Sequence, residues 1–418
     1  MLTRQENEML CRVGPDTPMG RMMRRYWVPV AMTTELVAGT PKRVRMLGEN
    51  FVAFRGDDGV AGVLDESCPH RGASLVLARS EGCALRCLYH GWKVDRTGAV
   101  LEMPSEPDGT AFTSKVRQPA YPVYESAGIA WTYLGPPDVV PPVPYFAYAR
   151  VPDSHRANTK FRTDCNWVQS LEGAIDTAHS NYLHSDDIRP GDPNAESRWA
   201  VRQTARPSND GRPRILTEDM PYGFRYGAIR RPLVDPERQQ YVRVTHFVAP
   251  FTAVIPLGDL QNVQIFLPID DEHTYQYNVK FSYTEPPPER MQEFSSIGPS
   301  DGDWGTNRNH DNNWRQDREA MKAGTSFTGI EVIRNQDTAV QESMGPLYDR
   351  TKEHLGVSDT AIIRMRRRML ESVRAFEERD AVPLGLAEPF DYGDVVAAEG
   401  MLPLDAPWQD LLRARTPA

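Results

Sequence analysis

The apolar and polar positions along the chain switch between helical and strand-like spacing. Near the start, Glu6, Met9, Leu10 and Val13 are spaced as on a helix, and Pro15 and Pro18 break it. Arg25-Tyr-Trp-Val-Pro-Val reads as a first short strand. From about residue 42 to 135 short strands are cut by turns. Val44-Arg-Met-Leu and Phe51-Val-Ala-Phe alternate or run apolar, with Gly56-Asp-Asp-Gly and Asp95-Arg-Thr-Gly as hairpin turns. Pro136-Pro-Asp-Val-Val-Pro-Pro-Val-Pro marks a boundary. Beyond it, Trp167, Leu171 and Ile175 recur at four-residue spacing and predict a helix from Cys165 to His184. Strands follow over 213–285, clearest in Tyr222-Gly-Phe-Arg-Tyr-Gly-Ala-Ile and Tyr241-Val-Arg-Val-Thr-His-Phe-Val, and Pro286-Pro-Pro ends them. Residues 295–313, polar and rich in Gly, Asn and Asp, predict a long mobile loop, and helices return at about 315–323, 330–354 and 359–380. The expected fold class is α+β. A helix and arm span 1–40, an all-β domain 41–140, and a domain of antiparallel sheet and helices 141–418.

Composition narrows the partners. A chain of 418 residues suits two domains, and 40% apolar with 25% charged residues is a globular profile. The formal net charge of −9, with no basic tract, argues against nucleic acid. No apolar run approaches the roughly 20 residues of a membrane span, and Met1-Leu-Thr-Arg-Gln-Glu-Asn-Glu has no signal-peptide core. The expected location is cytoplasmic. Five cysteines, an odd number, then favour metal binding over a disulfide framework.

Four of the candidate ligands form two mixed pairs. Cys68-Pro-His70 and Cys87-Leu-Tyr-His90 lie 16 residues apart, each beside a turn, His70-Arg-Gly and His90-Gly-Trp. Two cysteines and two histidines in this arrangement are the ligand set of a Rieske 2Fe–2S cluster, in which histidines replace two cysteines on one iron and raise the potential. The alternative is a zinc site, but zinc fingers pair Cys with Cys and His with His. Cys11, Cys83 and Cys165 fall outside the pattern and read as ordinary thiols.

With these motifs, the chain resembles the α subunits of Rieske non-haem iron aromatic ring-hydroxylating oxygenases, from Pro18-Met-Gly to about Leu355. The text around Asn335-Gln-Asp-Thr-Ala-Val-Gln-Glu-Ser-Met-Gly-Pro is similar to the phthalate dioxygenase branch. Asp176-x-x-His179-x-x-x-x-His184 is by itself a weak pattern, but after a Rieske motif it points to a mononuclear Fe(II) site of two histidines and one carboxylate. Five residues apart, the histidines would stand about 140° apart on an ideal helix, so the helix must open between them, with Ser180 and Asn181 plausible places. The resemblance implies Asp337 as the third ligand, with Glu342 as the alternative. It also implies that Asp176 is not a ligand but hydrogen-bonds His179 and contacts His90 of a neighbouring subunit, orienting the imidazole and offering a route for the electron. That route calls for contact between subunits in a closed ring, and the resemblance implies a homotrimer or dimer of trimers. Nothing catalytic is read into Gly173.

The substrate end rests on arginines. Arg243 interrupts an apolar strand and needs an anionic partner, and guanidinium binds carboxylate bidentately. Arg206 and Arg243 are therefore candidates for binding a benzoate-type acid, with Arg225 a third. The competing reading for each is an internal ion pair or a solvated side chain. The chain has no G-x-G-x-x-G fingerprint, so the resemblance implies a separate NAD(P)H-dependent flavin or ferredoxin-type reductase feeding the cluster and then the iron. The expected reaction is oxygenation of an aromatic carboxylate, phthalate- or benzoate-type, to a cis-dihydrodiol. The same iron site would serve a Rieske O-demethylase or monooxygenase. A Rieske electron-transfer protein is the reading from another class, and Asp176, His179, His184 and Asp337 argue against it.

Overall fold

The computed structural model describes residues 1–107, 112–191, 205–288, 291 and 304–413. It forms two compact units, Val13–Pro144 and a larger one made of Met1–Arg12 with Tyr145–Ala418.

The smaller unit contains small antiparallel sheets. Strand Ile129–Tyr133 lies between Trp27–Met32 and Val123–Ser126. Lys42–Met46, Glu49–Arg55, Ala61–Asp65 and Ala120–Tyr121 form a second sheet, and Arg79–Glu81, Ala84–Arg86, Lys93–Asp95 and Val100–Glu102 a third. Phe54, Leu64, Leu85, Trp92 and Val94 share a core with Cys68 and Cys87, so this packing fixes where both thiols sit. The arm expected over 1–40 is not one segment. Trp27–Met32 is a strand of this unit, whereas the helix Arg4–Cys11 belongs to the larger one. There Asn7 donates to the Tyr348 carbonyl and Arg374 pairs with Glu6.

The larger unit is built on an eight-stranded antiparallel sheet. Its order is Arg156–Thr163, Thr274–Phe281, Leu260–Pro268, Thr252–Leu257, Gln239–Val248, Gly223–Arg230 and Arg214–Met220. Strand Gln239–Val248 is shared. His246–Val248 pairs with Thr252–Val254, while Gln239–Val244 pairs with Ala398–Pro403 from near the C-terminus. This register sets Arg243 directly opposite Glu399.

Helices Trp167–Ile175 and Thr360–Arg379 pack on this sheet, and Ile333–Ser343 packs on the first of them. Asn166 caps Trp167–Ile175 by accepting the Val168 N–H. Helix Ile333–Ser343 stops where Gly345 turns left-handed before Pro346, well short of the expected 354. Thr360–Arg379 is the long C-terminal helix. Of the loop expected over 295–313, residues 295–303 lie outside the described residues, and His310–Arg315 is a 3-10 segment.

Beneath the Trp167–Ile175 helix lies a buried ionic network. The Glu172 carboxylate accepts from Arg350, 3.2 and 2.9 Å, and from Arg366, 2.6 Å, which also grips Glu353. Arg350 is fully buried and reaches Asn7 and Cys11 on the N-terminal helix. These two cations hold the Glu172 carboxyl below its usual range despite its burial. Removing one partner of such a network leaves an uncompensated charge in the interior. Glu172→Gln should therefore destabilise the protein by about 3–5 kcal/mol in chemical unfolding. Arg364→Ala, which breaks an exposed pair with Asp219, should shift it by less than about 1 kcal/mol.

Candidate active site

Two loops of the smaller unit repeat one hydrogen-bond pattern. Cys68 N–H donates to the Ala73 carbonyl at 2.8 Å, and its own carbonyl accepts from Gly72 at 2.9 Å. Cys87 does the same with Trp92 at 2.9 Å and Gly91 at 3.0 Å. Gly72 and Gly91 both sit at φ +74°, which a side chain would strain, so each turn folds back on its own cysteine. His70 and His90 lie 4.4 Å apart between ring centroids, and His70 stacks on buried Trp92 at 4.6 Å. Neither cysteine is in a disulfide. Burial, then the neighbouring Cys87, pushes the Cys68 thiol up to about 11, and His90 Nδ1 is buried without a hydrogen-bond partner among the described residues. Buried thiols and an orphaned imidazole nitrogen are donors awaiting an acceptor.

The second cluster forms in the larger unit. The helix expected from Cys165 to His184 ends at Ile175. Asp176 Oδ1 accepts the Ala178 N–H at 2.7 Å, and this local turn replaces the next helical bond. His179 then opens a 3-10 turn, His179–Asn181. The helix thus opens before the first histidine and not between the two. The result brings His179 Nε2 and His184 Nε2 to 3.1 Å, with Asp337 Oδ1 at 3.6 and 3.1 Å from them. Glu342 lies elsewhere, accepting from Trp314 and from the Asp164 N–H. Each imidazole is held from behind. His179 Nδ1 is 3.3 Å from Asp176 Oδ2, and His184 Nδ1–H donates to Gln336 Oε1 at 2.7 Å. Gln336 in turn donates to Asp187 and to the Ile330 carbonyl. Both Nε2 lone pairs therefore face one point beside a carboxylate. Burial disfavours a charged His179, yet Asp176 and Asp337 outweigh it and raise its affinity for a proton. A metal cation answers the same demand.

Asp176, His179, His184 and Asp337 open into a cavity of about 500 Å³. Ile188, Ile255, Leu257, Phe161 and Phe266 supply apolar walls. Arg206 lines it, 4% exposed, donating to Asn181 at 2.9 Å and Ser180 at 3.0 Å, while its Nε has no partner among the described residues. Burial and the charges of Arg243 and Arg230 push it down to about 9, so it remains a cation at neutral pH. Arg243 also lines the cavity but is paired with Glu399 at 2.8 Å. Glu399 additionally accepts from Tyr241 and Gly258. Arg225 is paired with Glu218 and is not part of the lining.

Family models match both parts of the chain, the Rieske [2Fe-2S] domain over residues 26–122 and the LigXa C-terminal domain like family over 132–416. The phthalate 4,5-dioxygenase oxygenase subunit of Pseudomonas putida is 43% identical, covering 98% of this chain and 94% of its own length. The chain belongs to the Rieske non-haem iron aromatic ring-hydroxylating oxygenases. The 3-chlorobenzoate-3,4-dioxygenase oxygenase subunit of Comamonas testosteroni is 35% identical over 99% of each chain. The 5,5'-dehydrodivanillate O-demethylase oxygenase subunit of a Sphingobium species is 30% identical, over 89% of this chain and 81% of that one. The oxygenase of carbazole 1,9a-dioxygenase, solved in a reduced complex with ferredoxin, shares the fold. Its TM-score is 0.56 at 18% identity, covering 88% of this chain and 91% of that one.

This Rieske oxygenase carries one 2Fe–2S cluster and one mononuclear iron, and both donor sets fit. Cys68, Cys87, His70 and His90 offer two thiolates and two imidazoles. At the mononuclear site, donors each about 2.1 Å from an octahedral metal lie about 3 Å apart when adjacent, close to the separations found. No helix among the described residues is long and apolar enough to cross a membrane. Gln336 escaped the sequence reading because an amide beside Asp337 carries no ligand signature.

His179→Ala, His184→Ala or Asp337→Ala should remove one iron per chain while the Rieske EPR signal of the reduced cluster stays. Gln336→Ala should weaken iron retention by about 10–100-fold, measured by metal analysis after dialysis. An Asp337→Ala protein that keeps all its iron, with the loss appearing in Glu342→Ala instead, would replace the third ligand.

Proposed function

We propose that this oxygenase component converts an aromatic carboxylate, phthalate- or benzoate-type, to a cis-dihydrodiol. In balance, the arene, O2, NAD(P)H and one proton give the diol and NAD(P)+. The observation that carries this reading is Arg206, a buried guanidinium facing the cavity beside the iron ligands with no carboxylate partner among the described residues. A cation taken out of water without a counter-ion is unfavourable, and a substrate carboxylate would relieve it by a charge-assisted, bidentate contact. Arg243 stays in the proposal as the weaker contributor, because Glu399 already offsets its charge.

The chain's residues divide the remaining work. Asp176 and Gln336 orient the imidazoles, and the apolar walls hold the ring and exclude water. When bound, the mononuclear iron supplies O2 activation and the cluster supplies the electrons. Electrons would come from a separate NAD(P)H-dependent flavin or ferredoxin-type reductase, and a homotrimer or dimer of trimers would place His90 of one subunit near Asp176 of the next. Asp176 already holds His179, as that route requires. The second reading is an O-demethylase acting on a methoxylated or aryl-ether acid, favoured by the dehydrodivanillate relative.

Arg206→Ala should reduce kcat/KM for an acidic aromatic by about 2 kcal/mol or more, and much less for its neutral ester. Arg243→Ala should reduce it less. Oxygen uptake with reductase across phthalates, chlorobenzoates and methoxybenzoates reads this out, and equal losses on acid and ester would make the arginines structural. Asp176→Asn should leave both metal sites loaded and the cluster reducible, yet the reduced cluster should fail to reoxidise with substrate and O2 in stopped-flow. Normal reoxidation in an intact oligomer would remove Asp176 from the electron route.

A further inference from the structure

The sheet gives the cavity a polar wall that no acidic group would use. Strands Leu260–Pro268 and Thr274–Phe281 turn alternate residues towards it. Their register sets Gln276 opposite Phe266 and Asn278 opposite Gln264. One row further along, Asn262 stands between Lys280 and Ile255. Asparagine is depleted in strands, and a buried amide is unfavourable unless it is hydrogen-bonded. Amides gathered on one buried face therefore call for partners.

Two of them meet each other. Gln276 Nε2 donates to Asn278 Oδ1 at 3.0 Å. Asn262 is different. It is 8% exposed and lines the cavity, and its Oδ1 is buried with no hydrogen-bond partner among the described residues, although Lys280 stands opposite. Ile255, on its other side, offers only hydrocarbon.

The partner such an oxygen needs is a donor. An ionised carboxylate has acceptors only, so the group that Arg206 would bind does not suit this place. A hydroxyl or amino group on the ring does, because its O–H or N–H can donate to Oδ1. Two kinds of polar recognition are thus separated around one cavity. Arg206 is held on the turn between His179 and His184, and Asn262 is fixed in the sheet. A site with a buried acceptor discriminates against an analogue that lacks the donor, since the acceptor is then left unpaired.

We propose that Asn262 accepts a hydrogen bond from a hydroxyl or amino substituent of the substrate ring, so that the cavity favours aromatic acids carrying such a donor over unsubstituted ones. This rests on the reading that Arg206 anchors an aromatic acid, and it adds a second polar group and the residue that reads it. Asn262 is a specificity residue and not a participant in oxygen chemistry.

The test is calorimetric binding to the metal-loaded oxygenase, without O2, of benzoate, its 3-hydroxy and 4-hydroxy derivatives and the matching methoxy acids, which cannot donate. Wild-type protein should bind one hydroxy acid about tenfold or more tighter than benzoate and than its methoxy counterpart. Asn262→Leu should remove that gain while changing benzoate less than about twofold. Asn262→Ser, which keeps an accepting oxygen on a smaller side chain, should retain part of it. The proposal is overturned, with the aromatic-acid reading standing, if neither hydroxy acid binds more tightly than benzoate, as a wall that only holds water would give. It is also overturned if the methoxy acids gain as much, if the gain survives undiminished in Asn262→Leu or Asn262→Ser, or if Asn262→Leu weakens benzoate alike. Wild-type protein that binds none of these acids overturns the aromatic-acid reading and this proposal with it.

Discussion

Two imidazoles with nitrogens 3.1 Å apart, and with Asp176 and Gln336 holding the far side of each ring, turn both Nε2 atoms to one point that a cation can satisfy. That constraint explains much of the larger unit. The Trp167–Ile175 helix must stop early, so that His179 and His184 can turn to one point, and Asp176 stops it with its own side chain. Asp337 must arrive from a distant helix, and Gln169 ties the two helices by donating to the Gln341 and Gly345 carbonyls. Below them, Glu172 with Arg350 and Arg366 anchors the turn before the ligands. A buried network of this kind is weak evidence for stability, but it specifies one arrangement when every member is paired.

The same accounting of charge separates structural arginines from those available to a substrate. Arg243 and Arg206 both border the cavity, yet only Arg243 has an acid facing it across the sheet. Arg206 is held by the neutral side chains of Ser180 and Asn181, which lie between His179 and His184. Those acceptors position a guanidinium without neutralising it. A carboxylate would compete well against them, since hydrogen bonds between charged partners are roughly twice as strong as neutral ones. On the proposed reading, the binding energy of an acid would be delivered next to the metal.

How much of this was legible in the sequence depended on distance along the chain. The cluster motif was readable because each Cys and His pair is local, and the tight turn beside each is written in Gly72 and Gly91. Asp337 came from resemblance, since no spacing links it to His184. The partner of Arg243 was not legible at all. Glu399 lies on a strand, Ala398–Pro403, too short and mixed to declare itself, and only the register against Gln239–Val248 brings it opposite. The opening of the helix was misplaced by a few residues because the apolar spacing stops at Ile175, whereas the reading carried it on to His184.

The account holds that O2 is added to the ring of an aromatic acid, and the fate of its atoms tests this most directly. The metal-loaded oxygenase, with reductase and NADH, is given benzene-1,2-dicarboxylate under 18O2, and the product is analysed by mass spectrometry. The account predicts a cis-dihydrodiol in which both hydroxyl oxygens carry the label. A product with one labelled oxygen, formation of formaldehyde from methoxylated acids only, or turnover confined to uncharged aromatics would contradict it.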